Sequence, residues 1–356
     1  MGWLIPVTKR VMARARAMEP GGFALVMATG VVSVDLVQHG MGTLAKVLFW
    51  LNWAAYGWLV LITTLRFIFY RGEMVSNFVK PGRGAAFLTL AAGTCVLGIQ
   101  CLLVVYLPLL ARIMAVVGAV CWLVLIYLFF FSIMTRRVKA SFRSTVNGGW
   151  LVVVVATQAL AVLIAILAQD GTLVVRERLL FAAVSLYLIG CAWYLIIITL
   201  ITYRMVLLPL IAREFTPPYW INMGALAISA LAGSLIILHA PPQGPLHDLQ
   251  PFIKGFSLFY WAMATWWIPL LVILELWRHV WSRVPVNYEV DDWDIVFPVG
   301  MYTVCTDALA RATGAHYLMA IPDVGVYISF LLWAVVSAGL AYRLLHRRVY
   351  DSVTNS

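Results

Sequence analysis

Between Trp293 and Thr306 the chain sets aromatics, a proline, a glycine and two threonines into an otherwise apolar run. Pro298 removes one backbone hydrogen bond and crowds the carbonyl four residues earlier, so a helix here is expected to kink near Phe297. Gly300 thins the same face, and Thr303 and Thr306 follow roughly along one stripe. Such a helix can line a path through a bundle, with Phe297 near the kink as a plug. It can also be a packing helix with one ordinary phenylalanine. The chemistry on offer is passage and occlusion, not bond making.

Two further pairs have chemical spacing. Asp35 and His39 stand four residues apart, as do Asp307 and Arg311. A charge inside a membrane is a functional candidate, here for carrying a coupling proton, and the alternative is an ion pair at the outer rim. Asp291, Asp292 and Asp294 crowd the start of the same segment as Phe297, where carboxylates favour the helix dipole and repel anions unless paired. His39, His239, His247 and His316 fall together on one predicted side, suited to sensing pH there. Cys95, Cys101, Cys121, Cys191 and Cys305 lie in apolar runs without CxxC spacing, which supports neither a metal site nor a disulfide frame. No cofactor is expected. A membrane enzyme needs paired histidines, a metal cluster or a nucleophile beside a base, and Asp35/His39 is the nearest approach, without a nucleophile; a receptor or structural subunit does not explain the repeat described below.

The elements that must position these residues follow from composition. Of 356 residues, 63% are hydrophobic and 11% charged, with mean hydropathy +0.93. Soluble domains carry roughly 25% charged residues, so the fold class is an all-α integral membrane protein. Ten apolar segments appear, at 21–39, 45–68, 85–105, 109–133, 149–168, 179–205, 219–239, 255–277, 293–313 and 324–344. They divide the chain into a basic segment 1–18, a ten-helix domain 19–344 and a tail 345–356. Nineteen of the 25 lysines and arginines fall on the side of the two termini, which the positive-inside rule makes cytoplasmic in a multi-pass cell-membrane protein. The net charge of +10 then reads as orientation and contact with anionic lipid, not as a nucleic-acid footprint.

The even segments close on Arg66, Arg136, Arg204, Arg278 and Arg343, spaced 70, 68, 74 and 65 residues apart. Five helical hairpins explain this spacing. The five odd segments hold about 8 aromatics and the five even ones about 27, which places the odd helices inside and the bulky even helices against lipid. The inner helices offer Phe23, Thr29, Gly30 and Ser33; Thr89, Gly93 and Thr94; Thr157; Gly224 and Ser229; and Pro298, Gly300, Thr303 and Thr306. These are the expected pore-lining residues, and individually they also suit helix packing. With no deep lysine or arginine among them, an anion would be held weakly by hydroxyls, amides and helix ends.

The run Met18-Glu-Pro-Gly-Gly-Phe-Ala-Leu-Val-Met-Ala-Thr-Gly-Val-Val-Ser33, with Trp293-x-x-x-Phe297-Pro298-x-Gly300-x-Tyr302, resembles the tellurite-resistance/dicarboxylate transporter family. That family includes plant slow anion channels, yeast malate permeases and fungal sulfite exporters. The resemblance implies five inner helices around a central pore, five outer ones, a homotrimer, an anionic small-molecule substrate, and an occluding phenylalanine at Phe297. Gly22 stands where many relatives are bulkier. Phe297 is also only about four residues, roughly 6 Å, into its segment, shallow for a gate, with Tyr302 the next aromatic inward.

Overall fold

In the computed structural model the chain is all α-helix and short 3-10 turns, with no strand among the described residues, 11–286 and 288–353. Lys9, Arg10 and the rest of residues 1–10, and residues 354–356 of the expected tail, lie outside them. Ten long helices are named here α1 (Ala24–Gln38), α2 (Gly42–Phe69), α3 (Thr89–Leu103), α4 (Pro108–Met134), α5 (Val152–Leu167), α6 (Leu173–Leu207), α7 (Ile221–His239), α8 (Pro245–Leu276), α9 (Trp293–Thr313) and α10 (Ala320–Val353). Among the described residues nine helical segments are long and apolar enough to cross a membrane; α9, with Asp294, Asp307 and Arg311, is less apolar.

Burial separates the helices by parity. In the segments containing α1, α3, α5 and α7, between 72 and 94% of the apolar window is buried, against 11 to 39% for the even helices. Helix α9 is buried along almost its whole length. Each odd helix packs on the next, and α9 returns to α1, so the five form a closed ring. Each even helix packs outside the odd helix that precedes it. Trp50, Phe131, Trp266 and Leu331 stand exposed on this outer layer, as suits side chains that face lipid.

Ring closure depends on small residues where backbones approach. A Cβ on Gly30 would fall 2.3 Å from Val96 Cγ1, and one on Gly300 would fall 2.8 Å from Val31 Cγ1. Gly224 receives the ring of Pro298 in the same way, its Cβ position lying 2.8 Å from Pro298 Cγ. Helix α9 runs on through Pro298, whose missing N–H leaves the carbonyl of Asp294 without its usual intrahelical donor.

Every inner helix starts with a 3-10 turn at the same end of the bundle: Pro20–Phe23, Gly84–Leu88, Gly148–Leu151, Pro217–Trp220 and Val290–Asp292. These turns also contact one another in sequence and close a second, smaller ring. Proline at the first positions of two of them needs no amide donor there. The Asn147 side chain accepts from the Gly149 amide at 3.0 Å, and Glu289 with Asp292 forms a capping box.

Helix lengths depart from the apolar segments. Helix α6 begins at Leu173, six residues before the segment, because Arg176, Glu177 and Arg178 continue the helix past the apolar region. Helix α8 starts at Pro245 for the same reason, and α10 extends to Val353, so the tail expected from residue 345 is helical as far as it is described. Hydropathy marks the bilayer, not the end of the helix.

Candidate functional site: the axis of the five-helix ring

A cavity of about 190 Å³ lies inside the ring and is walled by all five inner helices. Its sides are apolar: Val31 and Val34 of α1, Val96 and Ile99 of α3, Val162 and Ile166 of α5, Leu231 and Leu235 of α7, Met301 and Val304 of α9. Its mouth, at the end away from the 3-10 turns, is polar, with Gln38, Gln169, His239, Asp307 and Arg311.

On α9 the cavity-facing residues Met301, Val304, Ala308 and Arg311 recur at helical spacing. Phe297 is four residues before Met301 and continues that stripe one turn towards the 3-10 turns. The matching positions on the other stripes are Met27, Ala92, Ala159 and Ala227, and all five belong to one buried cluster. Three of them are alanines, which leave space, and Phe297 is 1% exposed. Its depth is also settled. The turn Val290–Asp292 runs directly into α9, so Phe297 is about two helical turns in, one turn before the cavity wall at Met301. Tyr302 is turned elsewhere: its hydroxyl pairs with Thr265 Oγ1 of α8 at 2.8 Å and its ring stacks on Trp261.

The predicted lining hydroxyls are turned outward. Trp333 of α10 donates Nε1–H to Thr29 at 3.0 Å, Trp122 of α4 to Thr157 at 2.8 Å, and Trp261 of α8 to Thr306 at 2.9 Å. Tyr56 of α2 pairs with Thr94 at 3.0 Å. Thr94, Thr157 and Thr306 donate to their own helix carbonyls four residues back, so both hydroxyl functions are occupied. Ser33 donates to the Ala45 carbonyl of α2, Thr89 to Ala86 and Pro20, Thr303 to Val299, and Ser229 to Ala225. Phe23 packs edge-on against Tyr56 in a separate cluster, and Gly93 faces α1. The cavity walls are therefore a different set from Phe23, Thr29, Gly30, Ser33, Thr89, Gly93, Thr94, Thr157, Gly224, Ser229, Pro298, Gly300, Thr303 and Thr306. The signal for the actual walls was the Val/Leu stripe, which reads as plain core in a sequence.

Matching residues 17–341, the sequence fits the voltage-dependent anion channel family. The chain belongs to that family. Two uncharacterized transporters of Methanocaldococcus jannaschii align with it over 323 residues at 23 and 22% identity, covering 89% of this chain and 92 and 90% of theirs. An uncharacterized membrane protein of Mycobacterium tuberculosis is 34% identical over 152 residues, 42% of this chain and 76% of its own length.

In this family member the pair Asp307/Arg311 sits at the cavity mouth, whereas Asp35 and His39 lie outside the cavity lining. Arg311 Nη2 meets Asp307 Oδ1 at 2.9 Å, with Asp307 mostly buried and Arg311 half exposed. Asp35 is fully buried, accepts from Ser329 Oγ of α10 at 2.8 Å, and lies 3.3 Å from His39 Nδ1. His239 contacts the Ala165 carbonyl through Nδ1 at 3.0 Å, which makes Nε2 the acceptor for the Gln169 amide. Glu275 accepts from Trp220 Nε1 at 3.0 Å and lies 3.3 Å from His279 Nε2.

At the opposite end Asp291 reaches over the first 3-10 turn, its Oδ1 3.6 Å from where a Cβ on Gly21 would lie. Burial, then the neighbouring Glu19 and Glu289 carboxylates, push Asp291 up to about 6 against the pull of Arg83. Because the folded value is raised, the folded state gains stability as pH falls through about 6 towards the ordinary carboxylate range. The unfolding midpoint in detergent is therefore expected to rise more between pH 7 and pH 5 for the wild type than for Asp291→Asn. Equal rises would contradict this placement of the charge.

Proposed function

We propose that the chain carries anions through the axis of the five-helix ring, with Phe297 as the constriction. The observation that carries this reading is the cavity walled by all five inner helices, whose stripe on α9 reaches Phe297 one helical turn beyond Met301. Membership of an anion-channel family supports the sign of the charge.

The walls set the manner of passage. An anion entering the cavity exchanges part of its hydration for Val, Ile and Leu surface. Arg311, the cation at the mouth, is already paired with Asp307, so the ion is drawn in without being captured. Weak, low-affinity passage follows. A submicromolar dissociation constant for a single anion would count against it, since tight capture needs a charged or bidentate ligand.

The 3-10 turns lie at the cytoplasmic end in this reading, with both termini on that side. Single cysteines in 72–80 and 138–146 are expected to react with impermeant reagents only from the cytoplasm, and cysteines in 243–248 only from outside. Labelling of 138–146 from outside would invert the orientation.

The function is tested by reconstituting the protein in liposomes and measuring flux of halide, nitrate, sulfite and dicarboxylate, with and without a pH gradient. Electrogenic flux of small anions without a gradient is expected. The buried carboxylate Asp35 supports a second reading, a proton-coupled exporter. In that case flux requires the gradient and is lost in Asp35→Asn.

A further inference from the structure

We infer that a groove between α2, the short helix Arg71–Val79 and α4 is a binding site for one anionic glycerophospholipid. The groove has a volume of about 700 Å³ and opens on the lipid-facing side of the bundle, at the end that carries the 3-10 turns.

Helix α2 stops at Tyr70, where the backbone leaves helical geometry, and the chain restarts as Arg71–Val79 without burying any residue of that helix. The short helix is held on both flanks. Arg16 pairs with Glu73 at 2.9 Å, and Arg136 Nη1 donates to the Val79 carbonyl at 3.2 Å. Phe78 packs edge-on against Phe87 of the second 3-10 turn. A slot results between the short helix and α4, which touch over only part of their length. Val75, Leu128 and Phe131 line it and are 60, 48 and 65% exposed, so these apolar surfaces have no protein partner.

Its polar atoms are spent or cationic. Ser132 and Thr135 donate to carbonyls of their own helix, which leaves an apolar wall. Arg71 and Arg136 form the polar rim, and none of the lining residues is acidic. An apolar slot at membrane depth, ending on two guanidinium groups, matches an acyl chain joined to a phosphate, which arginine holds by paired hydrogen bonds. Charge argues against a second copy of the chain in the slot. This end of the protein carries Arg137, Lys139 and Arg143 as well, and two such surfaces repel.

The test is native mass spectrometry of the full chain purified in detergent and exchanged against equal amounts of phosphatidylglycerol and phosphatidylcholine. The wild type is expected to retain one phosphatidylglycerol per chain, about five- to tenfold over phosphatidylcholine. The double variant Arg71→Gln/Arg136→Gln should lose this preference. Because Arg136 also ties down the short helix, Leu128→Trp is measured in parallel: it fills the slot from the lipid face and should remove the bound lipid while keeping both arginines. Equal retention of the two lipids by the wild type overturns the inference, as does an undiminished phosphatidylglycerol adduct in Leu128→Trp. A change of oligomeric mass in Leu128→Trp would assign the slot to a second copy and overturn it too. The readout is independent of anion flux.

Discussion

Phe297→Ala is expected to raise anion flux by at least about tenfold in liposomes, equivalent to removing ~1.4 kcal/mol or more from the barrier. The stripe on α9 reaches Phe297 one turn beyond Met301, and the matching positions on the other inner helices are Met27 and three alanines. Truncating the ring leaves Met27 and three alanines in this layer and takes away its one aromatic side chain. Selectivity among small anions should fall with it, because less hydration is stripped on the way through. The variant should lose only about 1.5–3 kcal/mol of stability, the transfer cost of a buried phenylalanine, since the new space opens to a cavity that water can enter. A phenylalanine enclosed in ordinary core would behave differently. It would cost about 3–5 kcal/mol and leave flux unchanged. Measuring flux and thermal stability on the same preparation separates the two.

The largest stability effect belongs to the ring of 3-10 turns. A Cβ on Gly148 would lie 2.2 Å from the Pro218 carbonyl oxygen, 2.5 Å from its carbon and 2.6 Å from the Tyr219 Cα, all backbone atoms. No rotamer change relieves that overlap, so in Gly148→Ala the third and fourth turns must separate. A loss of about 3 kcal/mol or more is expected, at the upper end of overpacking effects. Gly72→Ala is the control. Nothing lies within 4 Å of its Cβ position, and it sits in an exposed helix where alanine should be neutral or gain up to ~1 kcal/mol. The unfolding midpoint in one detergent compares them, and similar midpoints would contradict the tight contact between the two turns.

The division into buried and lipid-facing helices was legible in the sequence because it is written in side-chain size. Residues such as Trp50, Phe131 and Trp266 have no place inside a tight helical ring, whereas Gly30, Gly224 and Gly300 are needed where its helices touch. The depth of Phe297 in its helix was not legible, because hydropathy does not register the 3-10 turn that winds the chain before Trp293. The direction of the hydroxyls was misread for a physical reason. A threonine inside a membrane suggests a polar path, yet Thr157 and Thr306 are satisfied by their own helix and by an indole N–H from the outer layer. The cavity walls went unnoticed because valine and leucine facing a void have the same sequence pattern as valine and leucine facing another helix. Only the closure of the ring distinguishes them.

The central claim is that the path runs along the stripe shared by Phe297, Met301 and Val304. It is tested most directly by covalent block in a cysteine-free background carrying Phe297→Ala. Val304→Cys is reacted with a small anionic methanethiosulfonate, and anion flux is measured before and after; Tyr302→Cys, on the face towards α8, serves as the comparison. The account predicts that modification at Val304 lowers flux by roughly tenfold or more, a barrier increase of about 1.4 kcal/mol, and that reagent applied to Tyr302→Cys leaves it nearly unchanged. Full flux after complete modification at Val304 would contradict it.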